Sequence, residues 1–228
     1  MRKYIEQNGA DSSDVIRELD LLADKNTGEI EYRDAFHKLG KLLGYALKVN
    51  NNEISTENTL IACANEDADW LAKGVMEGME LPNLPMAVFW TKRFKLEDGN
   101  DISPIISTYQ DKTQENLNNV IIVKSIISSS CVVKTQLLRL LSTISPNNIY
   151  ILAPVMLDQA EENLKNEFPD EIFNKFRFIT FAIDDEVLNT GEIIPGIGGM
   201  VYPRLGLGNS DTKNKYIPEI VKERMMAI

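Results

Sequence analysis

Short apolar runs rich in β-branched residues alternate along this chain with stretches whose apolar residues recur at helical spacing. This alternation constrains the fold more than any other feature of the sequence. The strongest run, Val-Ile-Ile-Val at 120–123, is typical of a strand that is buried on both faces. Because strands that alternate with helices form a parallel sheet between helical layers, the sequence predicts an α/β fold with a central parallel sheet and helices on both faces.

No linker, internal repeat or low-complexity segment interrupts the pattern. The predicted strands lie at 58–64, 85–96, 103–110, 118–128, 148–155 and 176–184. The predicted helices lie at 12–25, 32–48, 70–79, 133–144 and 158–168. A chain of 228 residues is long enough for one sizeable core. We therefore expect a single domain over 1–228, with N-terminal helices at 12–48, a core at 58–183 and a loop segment at 184–208.

The net charge and the two cysteines indicate which partners and which compartment to expect. A net charge of −10 argues against nucleic acid as a partner, because a phosphate backbone would be repelled. No run is apolar and long enough to cross a bilayer or to serve as a signal segment. Cys63 and Cys131 each follow an apolar run and are typical of buried thiols in a reducing compartment. The expectation is a soluble cytoplasmic protein without a membrane partner.

Three polar turns follow predicted strands and mark a candidate site. They lie at 65–69, 124–130 and 184–199, and the carboxyl ends of strands in such a sheet are where ligands bind. Six of the 13 glycines fall within 190–208. Their spacing fits either a turn-rich crossing of the sheet end or a loop whose backbone groups bind a small planar ligand. The location alone does not identify the chemistry.

The loop at 184–199 resembles the uracil-binding loop of uracil phosphoribosyltransferases. The match includes Ile183, Asp184 and Gly191 and then the run Ile-Ile-Pro-Gly-Ile-Gly at 193–198, and weaker similarity covers most of the chain. The resemblance implies a phosphoribosyltransferase-like fold with a small hood formed by the N-terminal helices and the segment after residue 184. It also implies a homodimer and a nucleobase or nucleotide as the ligand.

Members of that family hold uracil largely through main-chain groups of this loop. The resemblance therefore implies base-binding roles for a set of residues within it, and it predicts that Gly198→Val would abolish base binding with little loss of fold. The implied base-binding residues are Ile193, Ile194, Gly196, Gly198 and Gly199.

The loop that binds the ribose phosphate in the family differs here. The family strand ends in Asp-Pro-Met-Leu-Ala-Thr-Gly-Gly-Ser, whose aspartate approaches the ribose hydroxyls and whose backbone amides cradle the 5′-phosphate. At the aspartate position this chain has Lys124, which reverses the charge, and Ser128, Ser129 and Ser130 fall in the Ala-Thr-Gly part. Serine hydroxyls can bond a phosphate, although their side chains fill space that glycine leaves open.

The turn that binds pyrophosphate in the family also differs. An Arg-Ala-Gly there corresponds to a turn with Glu66, Asp67 and Asp69. Carboxylates at this place repel a polyanion unless a divalent cation such as Mg²⁺ bridges them, and the spacing matches no specific metal motif. The alternatives are solvated acids or caps of the helix that follows Trp70. Lys92 and Arg93 are candidates for anion binding or, equally, a basic surface pair.

Three functions remain open from the sequence. The favoured one is a uracil-phosphoribosyltransferase-like protein that binds a pyrimidine base or nucleotide-like ligand with impaired or altered activity. If active, it is a pentosyltransferase of the pyrimidine salvage type. The second is a non-catalytic sensor, or a subunit with a protein partner, on the same fold. The third is an enzyme that acts on another phosphorylated ligand through Lys124 and the serines. Because His37 is the only histidine, no Ser-His-Asp or Cys-His arrangement supports nucleophilic catalysis.

Overall fold

A mostly parallel sheet of eight strands forms the centre of the computed structural model, which describes residues 1–51, 53–95, 97, 101–113 and 117–227. The strands are β1 (Lys3–Tyr4), β2 (Thr59–Ala64), β3 (Met86–Thr91), β4 (Phe94–Lys95), β5 (Asp101–Ile102), β6 (Ile105–Gln110), β7 (Asn119–Val123), β8 (Ile126–Ile127), β9 (Asn148–Leu157), β10 (Phe176–Asp184), β11 (Glu186–Val187) and β12 (Ile193–Ile194). The order across the main sheet is β1-β10-β9-β7-β2-β3-β6, with β8 paired to β9, while β4–β5 and β11–β12 form separate pairs.

Both edges of the main sheet are antiparallel, whereas its centre is parallel. β10, β9, β7, β2 and β3 run parallel, β1 pairs antiparallel with β10, and β6 pairs antiparallel with β3. The predicted strand at 103–110 is this antiparallel edge, since the short connection from β3 leaves no room for a crossover helix. The predicted class, an α/β fold with a central parallel sheet and helices on both faces, is confirmed.

Alternate residues of the central strands feed two separate apolar clusters, one on each face. On β7, Ile121 and Val123 join the cluster that contains the N-terminal helices, and Val120 and Ile122 join the opposite one. All four side chains are fully buried. The continuous Val-Ile-Ile-Val run is thus explained by helical cover on both sides of the sheet.

Nine α-helices lie among the described residues. The longest, α2, packs against α3 so closely that a Cβ on Gly44 would overlap the carbonyl oxygen of Val75, and glycine permits this approach. No helix in the described ranges is long and apolar enough to cross a membrane. The helices are α1 (Ser12–Ala23), α2 (Glu29–Asn50), α3 (Lys73–Gly78), α4 (Cys131–Leu141), α5 (Ala160–Lys165), α6 (Asp170–Phe173), α7 (Val201–Arg204), α8 (Ser210–Lys213) and α9 (Glu219–Met226).

Two predicted strands were too long. The strand predicted at 118–128 stops at Val123, breaks at Lys124 and Ser125, and resumes as β8. The break allows the Lys124 ammonium to reach acidic side chains beyond the neighbouring strand, as described below. The strand predicted at 85–96 ends at Thr91, where its register with β6 shifts, and β4 follows as a separate piece.

Candidate functional site

Four charged side chains meet beyond the carboxyl ends of β2 and β7. The Lys124 ammonium lies 2.7 Å from Asp67 Oδ2 and 3.5 Å from Glu66 Oε1. The Lys213 ammonium lies 2.7 Å from the other oxygen of Glu66, Oε2. We call these four residues the buried ion cluster. It brings together two turns that the sequence predicted to converge, and it adds a lysine from the C-terminal part of the chain.

The cluster is almost completely shielded from solvent. The exposed fractions are 6% for Glu66, 2% for Asp67, 8% for Lys124 and 4% for Lys213. The interpretation of Glu66 and Asp67 as solvated acids is therefore wrong. Their burial is tolerated because each carboxylate contacts at least one ammonium, whereas an unpaired buried charge would be strongly destabilising.

The pKa values of Glu66, Lys124 and Asp67 depend on burial and on which opposite charges each group contacts. Burial favours neutral Glu66, but two ammonium groups outweigh it and lower the pKa of that carboxyl to about 2. Burial also opposes the charge on Lys124, yet Asp67 and Glu66 raise its pKa. The pKa of Asp67 is raised, chiefly by burial and further by the Glu66 carboxylate, although Lys124 opposes this. Glu66 and Lys124 thus keep their charges at neutral pH.

Asp69 binds the C-terminal part of the chain instead of the helix that follows Trp70. Its oxygens accept hydrogen bonds from the backbone N–H groups of Glu219 and Ile220, both at 2.9 Å, and from the Tyr216 hydroxyl. The proposed capping role for the following helix is therefore corrected: Asp69 caps the first turn of α9, where a carboxylate is favourable.

The C-terminal segment, defined as residues 209–226, covers the acidic turn. Besides the ion pair of Lys213, the Asn65 side chain donates to the Lys213 carbonyl at 2.7 Å. The Trp90 indole donates to the Tyr216 carbonyl at 2.8 Å, and the Tyr216 ring is stacked on Trp70 with centroids 6.3 Å apart. The turn that the resemblance assigns to pyrophosphate is therefore occupied by the protein itself.

The three carboxylates that were candidate ligands of Mg²⁺ already have partners within the protein. Within the described ranges, no group of three or more His, Cys, Asp or Glu side chains could hold a metal ion. The carboxylates of Glu66, Asp67 and Asp69 bind lysines, backbone amides and a tyrosine hydroxyl, so a cation would have to displace these groups. The residues present do not fit a resident Mg²⁺ ion.

A carboxylate from another part of the chain, Glu167, lies beside the serine stretch at 128–130. Ser130, at the start of α4, donates through its hydroxyl to Glu167 Oε1 at 3.0 Å, and Lys134 pairs with the other oxygen of Glu167. Lys134 is the main cause of a lowered pKa at Glu167. An acid thus lies beside the helix start that the resemblance assigns to a phosphate. Ser129 is exposed and Ser128 is partly buried.

The two residues of the candidate basic pair, Lys92 and Arg93, have different surroundings. The Lys92 ammonium lies 2.9 Å from the Asp211 carboxylate, which is largely exposed, and 5.8 Å from the Phe94 ring centre. The pKa of Tyr202 is raised by burial and by Glu66, and Arg93 opposes this shift. The Tyr202 ring also lies 5.8 Å from the Lys213 ammonium, beside the buried ion cluster.

The glycine loop, defined as residues 193–199, is held by side chains from helices α2 and α7. Gly196, Gly198 and Gly199 have φ values of +56°, +72° and +102°, which favour glycine. The Ile197 carbonyl accepts a hydrogen bond from the Tyr32 hydroxyl at 2.7 Å, and the Gly198 carbonyl accepts one from Arg204 at 3.1 Å. The peptide bond between Ile194 and Pro195 is cis.

Tyr32 contacts the glycine loop through its hydroxyl, which lies inside the protein. Burial raises the pKa of this hydroxyl, Arg204 opposes the shift, and the Asp67 carboxylate adds to it. Sequence reasoning missed Tyr32, Arg204, Lys213 and Tyr216. Lys213 lies in a polar stretch with no motif, so no local pattern marks it. Only the structure shows that it is 4% exposed.

Comparisons with known proteins agree with the resemblance. A uracil phosphoribosyltransferase of Sulfurisphaera tokodaii is 23% identical over 196 residues, which cover 78% of this chain and 88% of the relative. That of Sulfolobus acidocaldarius is 23% identical over 198 residues with the same coverage. No protein-family model matches the chain.

The fold is also found in a solved structure. The AQ2163 protein of Aquifex aeolicus superposes with a TM-score of 0.67 at 17% identity, over 84% of this chain and 93% of that one. The similarity to uracil phosphoribosyltransferases is thus confirmed at about 23% identity. The solved structure supports the fold alone.

Proposed function

We propose that this protein binds a pyrimidine base or a nucleotide-like ligand at its glycine loop and does not make UMP from uracil and phosphoribosyl pyrophosphate. The similarity to uracil phosphoribosyltransferases supports the first part. The second part rests on one observation: the Lys124 ammonium lies 2.7 Å from Asp67, where the related enzymes are expected to hold the two ends of their donor.

The chemistry of the transfer explains why this contact matters. Pyrophosphate leaves as positive charge develops on the ribose, so the donor must be held at both ends while the base is aligned. In this chain the ribose side carries an ammonium that is already paired. The pyrophosphate side carries the ionised Glu66 and is covered by the C-terminal segment. A polyanion would have to separate Lys213 from Glu66 and leave that buried carboxylate without its closer partner.

A non-catalytic role on this fold is the second candidate. The buried ion cluster favours this role. Its paired charges fill the place where a donor would bind, while the fold and the glycine loop are retained. The third possibility, an anion cradle made by Lys124 and the serines, has less support. Lys124 is bonded to Asp67 and Ser130 to Glu167, so neither is available to a phosphate without breaking these contacts.

A thermal-shift titration tests ligand binding. A ligand that binds only the folded state at 100 times its dissociation constant adds about 2.7 kcal/mol of stability. For a chain of this length, that raises Tm by roughly 5–10 °C. We expect this rise with uracil and none with phosphoribosyl pyrophosphate, and adenine serves as the control base. A rise with phosphoribosyl pyrophosphate and none with uracil would refute the proposal.

We also propose that the protein is a homodimer and that it acts in the cytoplasm, where a buried cysteine such as Cys63 stays reduced. Analytical ultracentrifugation at micromolar concentration should give twice the mass of the 25.7 kDa chain. A single species at the monomer mass would contradict the dimer.

A further inference from the structure

We propose that Arg2 is a positioning residue for the glycine loop, so that the N-terminal strand forms part of the ligand site. The inference rests on the proposed function only in taking this loop as the place where the ligand binds. The contacts that carry it involve Arg2, Asp184 and Gly196, which we call the Arg2 clasp.

The clasp uses both backbone polar groups of Gly196. Arg2 holds the Asp184 carboxylate through Nε at 2.9 Å and Nη2 at 2.8 Å. The same Nη2 donates to the Gly196 carbonyl at 2.6 Å, and the Gly196 N–H donates to Asp184 Oδ2 at 2.8 Å. One ion pair therefore fixes the peptide groups on both sides of the Gly196 Cα.

The clasp lies inside the protein. The side chain of Arg2 is 6% exposed and that of Asp184 is fully buried. Buried ion pairs need complete hydrogen bonding to offset the loss of hydration, and the Gly196 peptide groups supply two of the required bonds. Arginine suits the position because its planar guanidinium presents several donors in a fixed geometry, whereas lysine cannot hold a carboxylate in the two-bond manner and bind a carbonyl in the same plane.

The strand register explains how two residues so far apart in the sequence meet. β1 pairs antiparallel with β10, with Lys3 opposite Ile183 and Tyr4 opposite Ala182. This register places Arg2 opposite Asp184, at the point where β10 ends and the chain leads toward the glycine loop. The N-terminal strand thus reaches the same edge of the sheet as the candidate ligand site.

The clasp gives Gly196 a different role from the other residues of the glycine loop. Because both polar groups of Gly196 are bonded within the protein, Gly196 sets the path of the loop. Main-chain contacts with a base then fall to its neighbours at 193–195 and 197–199, other than the Ile197 and Gly198 carbonyls, which Tyr32 and Arg204 hold. Loss of Arg2 would free the Gly196 carbonyl and leave the Asp184 charge without its partner, so the loop would no longer be held in one conformation.

A paired set of variants separates positioning from plain stabilisation. Arg2→Met removes the guanidinium. Arg2→Met combined with Asp184→Asn also removes the buried charge, so that most of the lost stability returns, but the donor to the Gly196 carbonyl stays absent. Lys3→Met, at the exposed neighbouring position on β1, is the control. Three quantities are measured: Tm, the dissociation constant for uracil, and the hydrogen-exchange rate of the Gly196 amide by NMR.

We expect Arg2→Met to lower Tm, to weaken uracil binding at least tenfold and to speed Gly196 exchange at least tenfold. In the double variant Tm should recover while uracil binding stays at least tenfold weaker, and Lys3→Met should match the wild type. Recovery of wild-type uracil affinity together with Tm would overturn the positioning role. If the wild type binds no uracil, the proposed function fails, and Gly196 exchange still decides on the clasp: an unchanged rate in Arg2→Met would overturn it.

Discussion

Lys124→Met is expected to lower the free energy of unfolding by about 3–5 kcal/mol, because it breaks a buried ion pair by removing one partner. Asp67 would lose its only contact with an ammonium among the described residues and would stay 2% exposed beside a second carboxylate. The free energy of unfolding at neutral pH, from chemical denaturation followed by circular dichroism, measures the effect.

Two further variants control for other causes. Lys134→Met also breaks an ion pair by removing its lysine. Because the pair of Lys134 with Glu167 is about one-third exposed, we expect the free energy of unfolding to fall by less than about 1 kcal/mol. Lys124→Met combined with Asp67→Leu removes both members of the buried pair and should recover most of the stability. A loss below 1 kcal/mol for Lys124→Met alone would contradict the description of the buried ion cluster.

Gly198→Ala is expected to cost at least about 4 kcal/mol or to prevent folding, since it combines two mechanisms of large destabilisation. The φ of +72° disfavours any residue with a Cβ, and that Cβ would overlap the carbonyl oxygen of Leu22 at the end of α1. The sequence predicted that a larger residue here would abolish binding with little loss of fold. The structure predicts the reverse order of effects, with stability lost first.

Gly191→Ala is the matched control. Gly191 has a similar φ of +83°, but nothing lies within 4 Å of the Cβ position. Only the backbone strain remains, at about 1–2 kcal/mol. Thermal unfolding of the two variants side by side isolates the contact with α1. Equal losses for the two would show that the glycine loop does not pack against α1 as described.

The sequence predicted the central sheet well because its signals are local. Val120 to Val123 and the periodic helices at 12–25 and 32–48 each specify an element without reference to the rest of the chain. Helices α7 to α9 were missed, since segments of four to eight residues are too short to show a helical period. The antiparallel β1 has two residues and gives no signal of its own.

The sequence predicted that the polar turns at 65–69 and 124–130 lie at the same edge of the sheet, but it did not predict how their side chains pair. Comparison with the family treated Lys124 and the acids at 66, 67 and 69 as independent reversals of charge. The structure shows that Lys124 compensates two of these acids, because it binds Asp67 and Glu66, whereas Asp69 accepts backbone hydrogen bonds at the start of α9. Restoring aspartate at 124 alone would therefore place three carboxylates together. The contributions of Arg2 and Lys213 depend on contacts across 182 and 147 positions of sequence, which no local pattern reports.

The most direct test of the central claim is an assay of UMP formation. Purified protein is incubated with uracil, phosphoribosyl pyrophosphate and Mg²⁺, and UMP is measured by chromatography against a sample without protein. Because internal charge pairs occupy the two places where the donor would bind, we expect no UMP above that background. Steady formation of UMP in proportion to protein concentration would contradict the proposal that the buried ion cluster has replaced the donor site.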